Sequence, residues 1–290
     1  MKIDLHTHSA FSDGRESVAE VFQYAAEAGL DVVALTDHDT TDGWQIAEVE
    51  AAKHALSFVP GIELTTNHHD ISVHLLAYLP SAEYEPLQTA MAEVRAARET
   101  RIERYVENLR AHPDYQKLTI ESVLAEVREE GKSVGRPHIA DAMVTLKIFT
   151  HRNMAFEGPL DKFAEFYVPS AGIPTVEAIK MVRAAGGVPV MAHPMARADK
   201  EIVITDRHRK HFLELIHAGL AGFEVNHREV GTVPRAWLMG LVEEFDLVYT
   251  GSSDYHGLTG KDNRLGENTT SLEMLKRIEA QATGTFIRWA

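Results

Sequence analysis

The stretch Ile3-Asp4-Leu5-His6-Thr7-His8-Ser9-Ala10-Phe11-Ser12-Asp13-Gly14 decides how the rest of the chain is read. A short apolar run carries His6 and His8 two residues apart, and strand alternation puts both imidazoles on one side. A Ser-Asp-Gly turn then brings Asp13 back toward them. Neutral imidazole and carboxylate are donors that zinc, manganese and iron accept, so the stretch opens a metal site. A His-x-His pair has little specificity alone; its weight comes from what accompanies it.

With 290 residues, 44% of them hydrophobic, the chain is long enough for one large α/β domain, or one domain with an insertion. It has no cysteine, which excludes disulfides, thiolate metal sites and cysteine nucleophiles, and the expected compartment is cytoplasmic. No basic, apolar leader opens the sequence, and no apolar run approaches the ~20 residues that span a bilayer, so no membrane association is expected. A net charge of -14 and a pI near 5.6 argue against long nucleic acids, although bound cations or a local basic groove can hold a short anion.

Outward from the opening stretch, Ser17 predicts an N-cap for a helix with Val18, Val21, Phe22 and Ala25 on its apolar face, ending at Gly29. Strands are expected over 31–36, 57–64 and 71–79, with a helix over 43–56, a rhythm of parallel βα units. From about 81 to 172 the pattern is helical only: 86–109, 119–130, 138–146 and a short helix at 160–166. This predicts three segments: barrel 1–80, a helical insertion 81–172 and barrel 173–290. The last segment carries helices over 175–185, 207–218 and 233–244, one further helix in the tail, strands over 188–192, 222–227 and 247–251, and a terminal strand over 285–289.

His6, His8, His38, Glu63, His193 and Asp254 each fall at or just beyond a strand end. In a closed or nearly closed parallel barrel such ends converge on one face. With Asp13, His74 and His256 the donors suffice for two or three first-row ions.

Taken together, His6-Thr7-His8, Ser12-Asp13-Gly14, Thr36-Asp37-His38-Asp39, Gly61-Ile62-Glu63, Ala192-His193-Pro194 and Gly251-Ser252-Ser253-Asp254-Tyr255-His256 resemble the motifs of the PHP (polymerase and histidinol phosphatase) superfamily of metal-dependent phosphoesterases. The resemblance spans both barrel segments. It implies a distorted barrel of seven βα units and a trinuclear cluster of Mn²⁺, Fe²⁺ or Zn²⁺. By motif, His6, His8, Glu63 and Asp254 would hold one ion; Glu63, as a bridge, with His74 and His193 a second; Asp13, His38 and His256 a third. Such a cluster suits phosphate-ester hydrolysis by a metal-bound hydroxide, with His193 or His227 as general acid.

Gly135-Arg136-Pro137-His138 resembles a segment in the insertion of stand-alone bacterial nucleotide phosphatases of the TrpH-like group, which implies that Arg136 and His138 touch phosphate. The likeness points to AMP or another nucleoside monophosphate, or a 3′,5′-bisphosphate, with short RNA trimmed from its 5′ end as an alternative and a catalytically silent metal-binding module as another. Where the group often has an arginine two residues past the proline, this chain has Ala196 and then Arg197, and Glu224-Val225-Asn226-His227 replaces a more usual aromatic-polar ending. Arg197 and His227 are candidate substrate contacts.

Plainer readings cover the rest. His54, His68, His69, His112, His151, His208, His211 and His217 read as surface or packing residues, and Asp37 and Asp39 as partners that orient imidazoles. Arg95, Arg98, Arg101 and Arg104 interleave with glutamates and read as a solvated, ion-paired face. Phe156, Phe163, Phe166 and Tyr167 read as the insertion's own core.

Overall fold

A computed structural model describes residues 1–69, 71–127, 134–198 and 202–290. The first strand, β1 (Ile3–Asp4), is short and wholly buried. Ser17 caps α1 (Val18–Glu27): its hydroxyl accepts from the Glu20 amide, the Glu20 carboxylate accepts from the Ser17 amide, and the expected apolar stripe is buried. Gly29, at φ 69°, turns the chain into β2 (Val32–Leu35). There follow α2 (Trp44–Lys53), β3 (Ser57–His68) and β4 (Ile71–Tyr78).

β4 departs from the expected parallel rhythm: it runs antiparallel to β3, with Glu63 opposite Leu76 and Thr65 opposite His74. Only residues 69 and 70 separate the two strands, whereas a parallel crossover needs a dozen or more. β3 also continues four residues beyond the expected Leu64, to His68.

The helical stretch holds α3 (Glu85–Arg110), α4 (Ile120–Leu124), α5 (Arg136–Thr145) and α6 (Arg152–Phe156). Ile102, Tyr105, Leu109, Ile139, Met143 and Leu160 form a core of its own. The helix expected over 160–166 is instead a series of turns: Gly158-Pro159 precedes it, and the Asp161 carboxylate accepts from the Phe163 amide at 2.8 Å. Phe163 is 86% exposed, against the expectation that it joins the core, while Phe156, Phe166 and Tyr167 do pack there. Of the helix expected over 119–130, five residues are helical, and 128–130 lie outside the described residues.

The arginines of α3 are not the solvated face expected. Arg98 pairs with the buried Asp39 and donates to the Thr65 hydroxyl at 2.7 Å, Arg95 donates to the Asp39 carbonyl, and Arg101 donates to the Val168 carbonyl at 2.7 Å. Only Arg104 of the four is exposed.

The chain returns through β5 (Ile173–Pro174), α7 (Thr175–Ala184), β6 (Val188–Met191), α8 (Asp206–His217), β7 (Gly222–Asn226), α9 (Thr232–Glu244), β8 (Val248–Gly251) and α10 (Leu272–Gln281). The expected terminal strand is reduced to one bridge, Arg288 to Phe58. The sheet order is β1-β2-β3-β4-β6-β7-β8, with β5 on β3, and a parallel bridge between Thr7 and Tyr255 brings the two ends together. The result is a nearly closed barrel whose interior is filled by Leu5, Val32, Ala34, Val59, Leu76, Val190 and Val248.

Candidate metal centre

Barrel strands deliver the donors. His6 and His8 leave β1 on one side, where the His8 amide donates to the Tyr255 carbonyl at 2.9 Å. His38 follows β2 and forms an isolated bridge with Glu63 of β3. His74 sits on β4, His193 follows β6, and Asp254 and His256 follow β8. His193 and Asp254 have φ of 29° and 54°, a left-handed backbone that non-glycine residues adopt at a cost.

The Nε2 atoms of His6 and His8 lie 3.0 Å apart, and each is 3.1 Å from Glu63 Oε2. They are 3.5 and 3.3 Å from Asp254 Oδ1. A tetrahedral ion with bonds of about 2.0–2.1 Å has donor edges of about 3.3–3.4 Å, so these four donors fit one cation. Hydrogen bonding accounts for them poorly: the buried Asp254 Oδ1 and Asp13 Oδ1 have no hydrogen-bond partner among the described residues. Beside this group, Glu63 Oε1 is 2.8 Å from His74 Nδ1 and 3.2 Å from His193 Nε2. Asp13 Oδ1 is 3.2 Å from His256 Nε2 and 4.0 Å from His38 Nε2. His38 Nε2 also approaches Glu63 Oε2 at 3.3 Å, so it stands between two donor groups rather than in one.

Burial works to raise the Glu63 carboxyl, but the His38, His6 and His74 imidazoles outweigh it and hold it well below the usual carboxylate range. Asp254 behaves alike: burial opposes, and Lys261, His256 and His6 prevail. Burial lowers and the surrounding acids raise the imidazoles; the acids win at His6, held well above its ordinary value, and at His8, pushed up to about 9. At His38 burial wins, and the ring stays neutral.

Two residues here had no role assigned from sequence. Glu224, fully buried, places Oε1 3.0 Å from His6 Nδ1 and accepts from the His193 amide on Oε2 at 2.8 Å. The signal available was an acid inside an apolar strand. Lys261 lies 2.6 Å from Asp254 Oδ2, and nothing local to its loop marks it.

The substrate-side candidates divide. His227 is buried beside the cluster, with Nε2 3.7 Å from Asp254 Oδ2 and its ring 5.4 Å from His193. His138 is buried and accepts from the Gly135 amide at 3.0 Å; burial lowers its proton affinity and Asp13 acts against that, which makes it the cluster's electrostatic neighbour. Arg197 is bound through Nε and Nη2 to Glu229 at 2.9 and 2.8 Å. Arg136 faces the insertion: it donates to the Leu160 carbonyl at 3.1 Å and lies 5.9 Å from the Phe156 and Tyr167 rings.

Asp37 accepts from the Ser9 and Ser12 hydroxyls, and Ser12 Oγ stands 3.5 Å from His8 Nδ1, so any hold on that imidazole is indirect. Asp39, expected to orient an imidazole, accepts from the Thr65 amide and hydroxyl at 2.7 Å and pairs with Arg98. Its bonds tie the barrel to α3.

The chain matches the PHP domain family model over residues 4–238. A 5′-3′ exoribonuclease of Haemophilus influenzae is 29% identical over 88% of this chain and 90% of its own length. A phosphoribosyl 1,2-cyclic phosphate 1,2-diphosphodiesterase of Eggerthella lenta is 28% identical over 91% and 97%. A 3′,5′-nucleoside bisphosphate phosphatase of Chromobacterium violaceum is 28% identical over 77% and 76%. A crystal structure from Bifidobacterium adolescentis, provisionally named a metal-dependent phosphoesterase, superposes with a TM-score of 0.89 at 36% identity over 97% of this chain and 96% of that one. The barrel, the donors at its rim and these likenesses agree: the chain belongs to the PHP domain family.

Proposed function

We propose that this chain is a metal-dependent phosphoesterase that hydrolyses the phosphomonoester of a small nucleotide, a nucleoside monophosphate such as AMP or a 3′,5′-bisphosphate. The observation that carries this is the meeting of His6, His8, Asp13, His38, Glu63, His74, His193, Asp254 and His256 at one barrel rim. Those nine residues would hold up to three ions of manganese, iron or zinc, with Glu63 shared. Bound there, divalent ions supply Lewis acidity and bring a water's pKa toward neutrality.

The chain's own residues do the rest. With an ion bound, Glu224 would accept the His6 Nδ1–H hydrogen bond and leave Nε2 as the ligating atom beside Glu63 and Asp254. His227, which stands beside the cluster and is not one of the nine donors, would give a proton to the departing alkoxide; His193 could do so only in place of ligating. The described residues of the insertion, 81–127 and 134–172, would roof the rim and limit substrate length. His138 and Arg197 border the phosphate; Arg15 of the barrel pairs with the buried Asp141 of α5 and so fastens the insertion to the barrel there, while Arg152 holds the same carboxylate from within the insertion.

Short-RNA trimming from the 5′ end is the second reading, favoured by the exoribonuclease likeness. A silent module would have lost donors, and all nine are present. The test is a manganese-supplemented screen of nucleoside monophosphates, bisphosphates, a cyclic phosphate and a short oligoribonucleotide, beside His8→Ala. Orthophosphate release from the small nucleotides, abolished by His8→Ala, is expected. Full activity in that variant would overturn the centre, and shortening of the oligonucleotide alone would favour the second reading.

A further inference from the structure

We propose that His68, His69 and Glu214, with His211 packed beside them, form a separate site for one zinc-class divalent ion, which fastens the β3–β4 hairpin to α8. His68 ends β3 and His69 follows it in the turn, while His211 and Glu214 stand three residues apart on α8 and therefore share a face. The Nε2 atoms of His68 and His69 lie 3.1 and 2.8 Å from the same oxygen, Glu214 Oε2. The two rings are 4.1 Å apart, and His211 packs its ring 4.6 Å from His68. These donors come from segments nearly 150 residues apart in sequence, so their convergence is tertiary.

At His68 and His211 the surroundings work against charge, and so against ion pairing there. Burial, then His68 and His69, hold His211 down at about 4, and burial, then His69, lowers His68. Rings kept neutral retain the lone pair that a metal needs. Two imidazoles and one carboxylate, with a fourth position for water, are a donor set that zinc accepts. The group is shielded on one side and open on the other, His68 being 7% exposed and the His69 side chain 65%, which leaves an ion a way in. It shares no residue with the catalytic centre: Glu63 lies five positions back along β3, about 16 Å at the strand rise. Nothing in the phosphoesterase reading depends on it, nor it on that reading.

Zinc is titrated into the manganese-loaded chain and into His69→Ala and Glu214→Gln, with zinc per chain measured after desalting, and melting temperature and phosphate release measured alongside. Any exchange at the catalytic centre adds equally to all three proteins, so the difference reads this site. Wild type is expected to retain one more zinc per chain than either variant. At saturating zinc it should gain roughly 5 °C that the variants do not. Phosphate release in manganese should be unchanged in both. Because His69 is largely exposed, His69→Ala should fold normally. Equal zinc content in all three proteins would overturn the proposal, leaving only hydrogen bonds between imidazoles and a glutamate.

Discussion

At the scale of single residues, Glu224 shows how an acid outside the donor set governs the centre. Burial presses its carboxyl upward, yet His6, its hydrogen bond, His227 and His193 bring it down to about 2, so it faces His6 as an anion. Glu224→Gln keeps the shape and removes the charge. It is expected to cut metal affinity or turnover by roughly 10- to 100-fold, measured as the manganese dependence of phosphate release, with circular dichroism unchanged. Arg136 marks the opposite case. The sequence motif places it on phosphate, but its guanidinium holds Leu160 and two rings of the insertion. Arg136→Ala is therefore expected to lower the melting temperature while KM stays within about twofold, since a packed arginine contributes through contact as well as charge. A tenfold rise in KM at unchanged stability would return it to the substrate. His6, His8 and Asp13 were legible because their chemistry is local to one strand and turn; Lys261 was not, because its link to Asp254 depends on how a loop folds back.

Among the elements, α3 matters most, because its arginines reach out of the insertion into the barrel. Asp39 is fully buried and accepts from both Thr65 and Arg98, so the pair welds the loop after β2, the middle of β3 and α3. Arg98→Ala leaves that carboxylate with one partner fewer. The expected cost is about 3 kcal/mol in urea unfolding, with a rise in KM larger than any fall in kcat if the roof orders the substrate. An unchanged KM would confine Arg98 to stability. Interleaved glutamates suggested a solvated face here, and the periodicity of the helix was read correctly. What periodicity could not supply was the partner, since an arginine's preference for water or for a buried acid depends on what the helix packs against. The antiparallel β4 is similar: its apolar pattern is legible, but its direction follows from the shortness of the 69–70 connection.

For the whole molecule, the centre is where acids and imidazoles from both barrel segments hold one another's charge. With His6 held well above its ordinary value and His8 pushed up to about 9, the pair binds protons more tightly than free imidazoles do in the metal-free chain. Metal ligation requires them neutral, so loading manganese at pH 7 is expected to release protons, seen as binding heats that vary with the ionisation enthalpy of the buffer. Heats independent of buffer would contradict that proton binding. Stripping the ions with a chelator should also abolish phosphate release. The melting temperature should drop by about 5 °C relative to a hundredfold excess of metal over its dissociation constant, and both should recover when manganese returns.

The sequence by itself determined the donor types, the absence of thiol chemistry, the apolar strands that carry His6, His38, Glu63 and Asp254, and the family likeness, because each is written in a few adjacent residues. Tertiary structure alone decided that Glu224 supports His6 from 218 residues away, that α3 braces Asp39, that Arg136 turns inward and that His68 and His69 meet Glu214. Local pattern records which face of an element is buried. Which distant side chain waits across the contact is settled only when the barrel closes and the helices pack upon it.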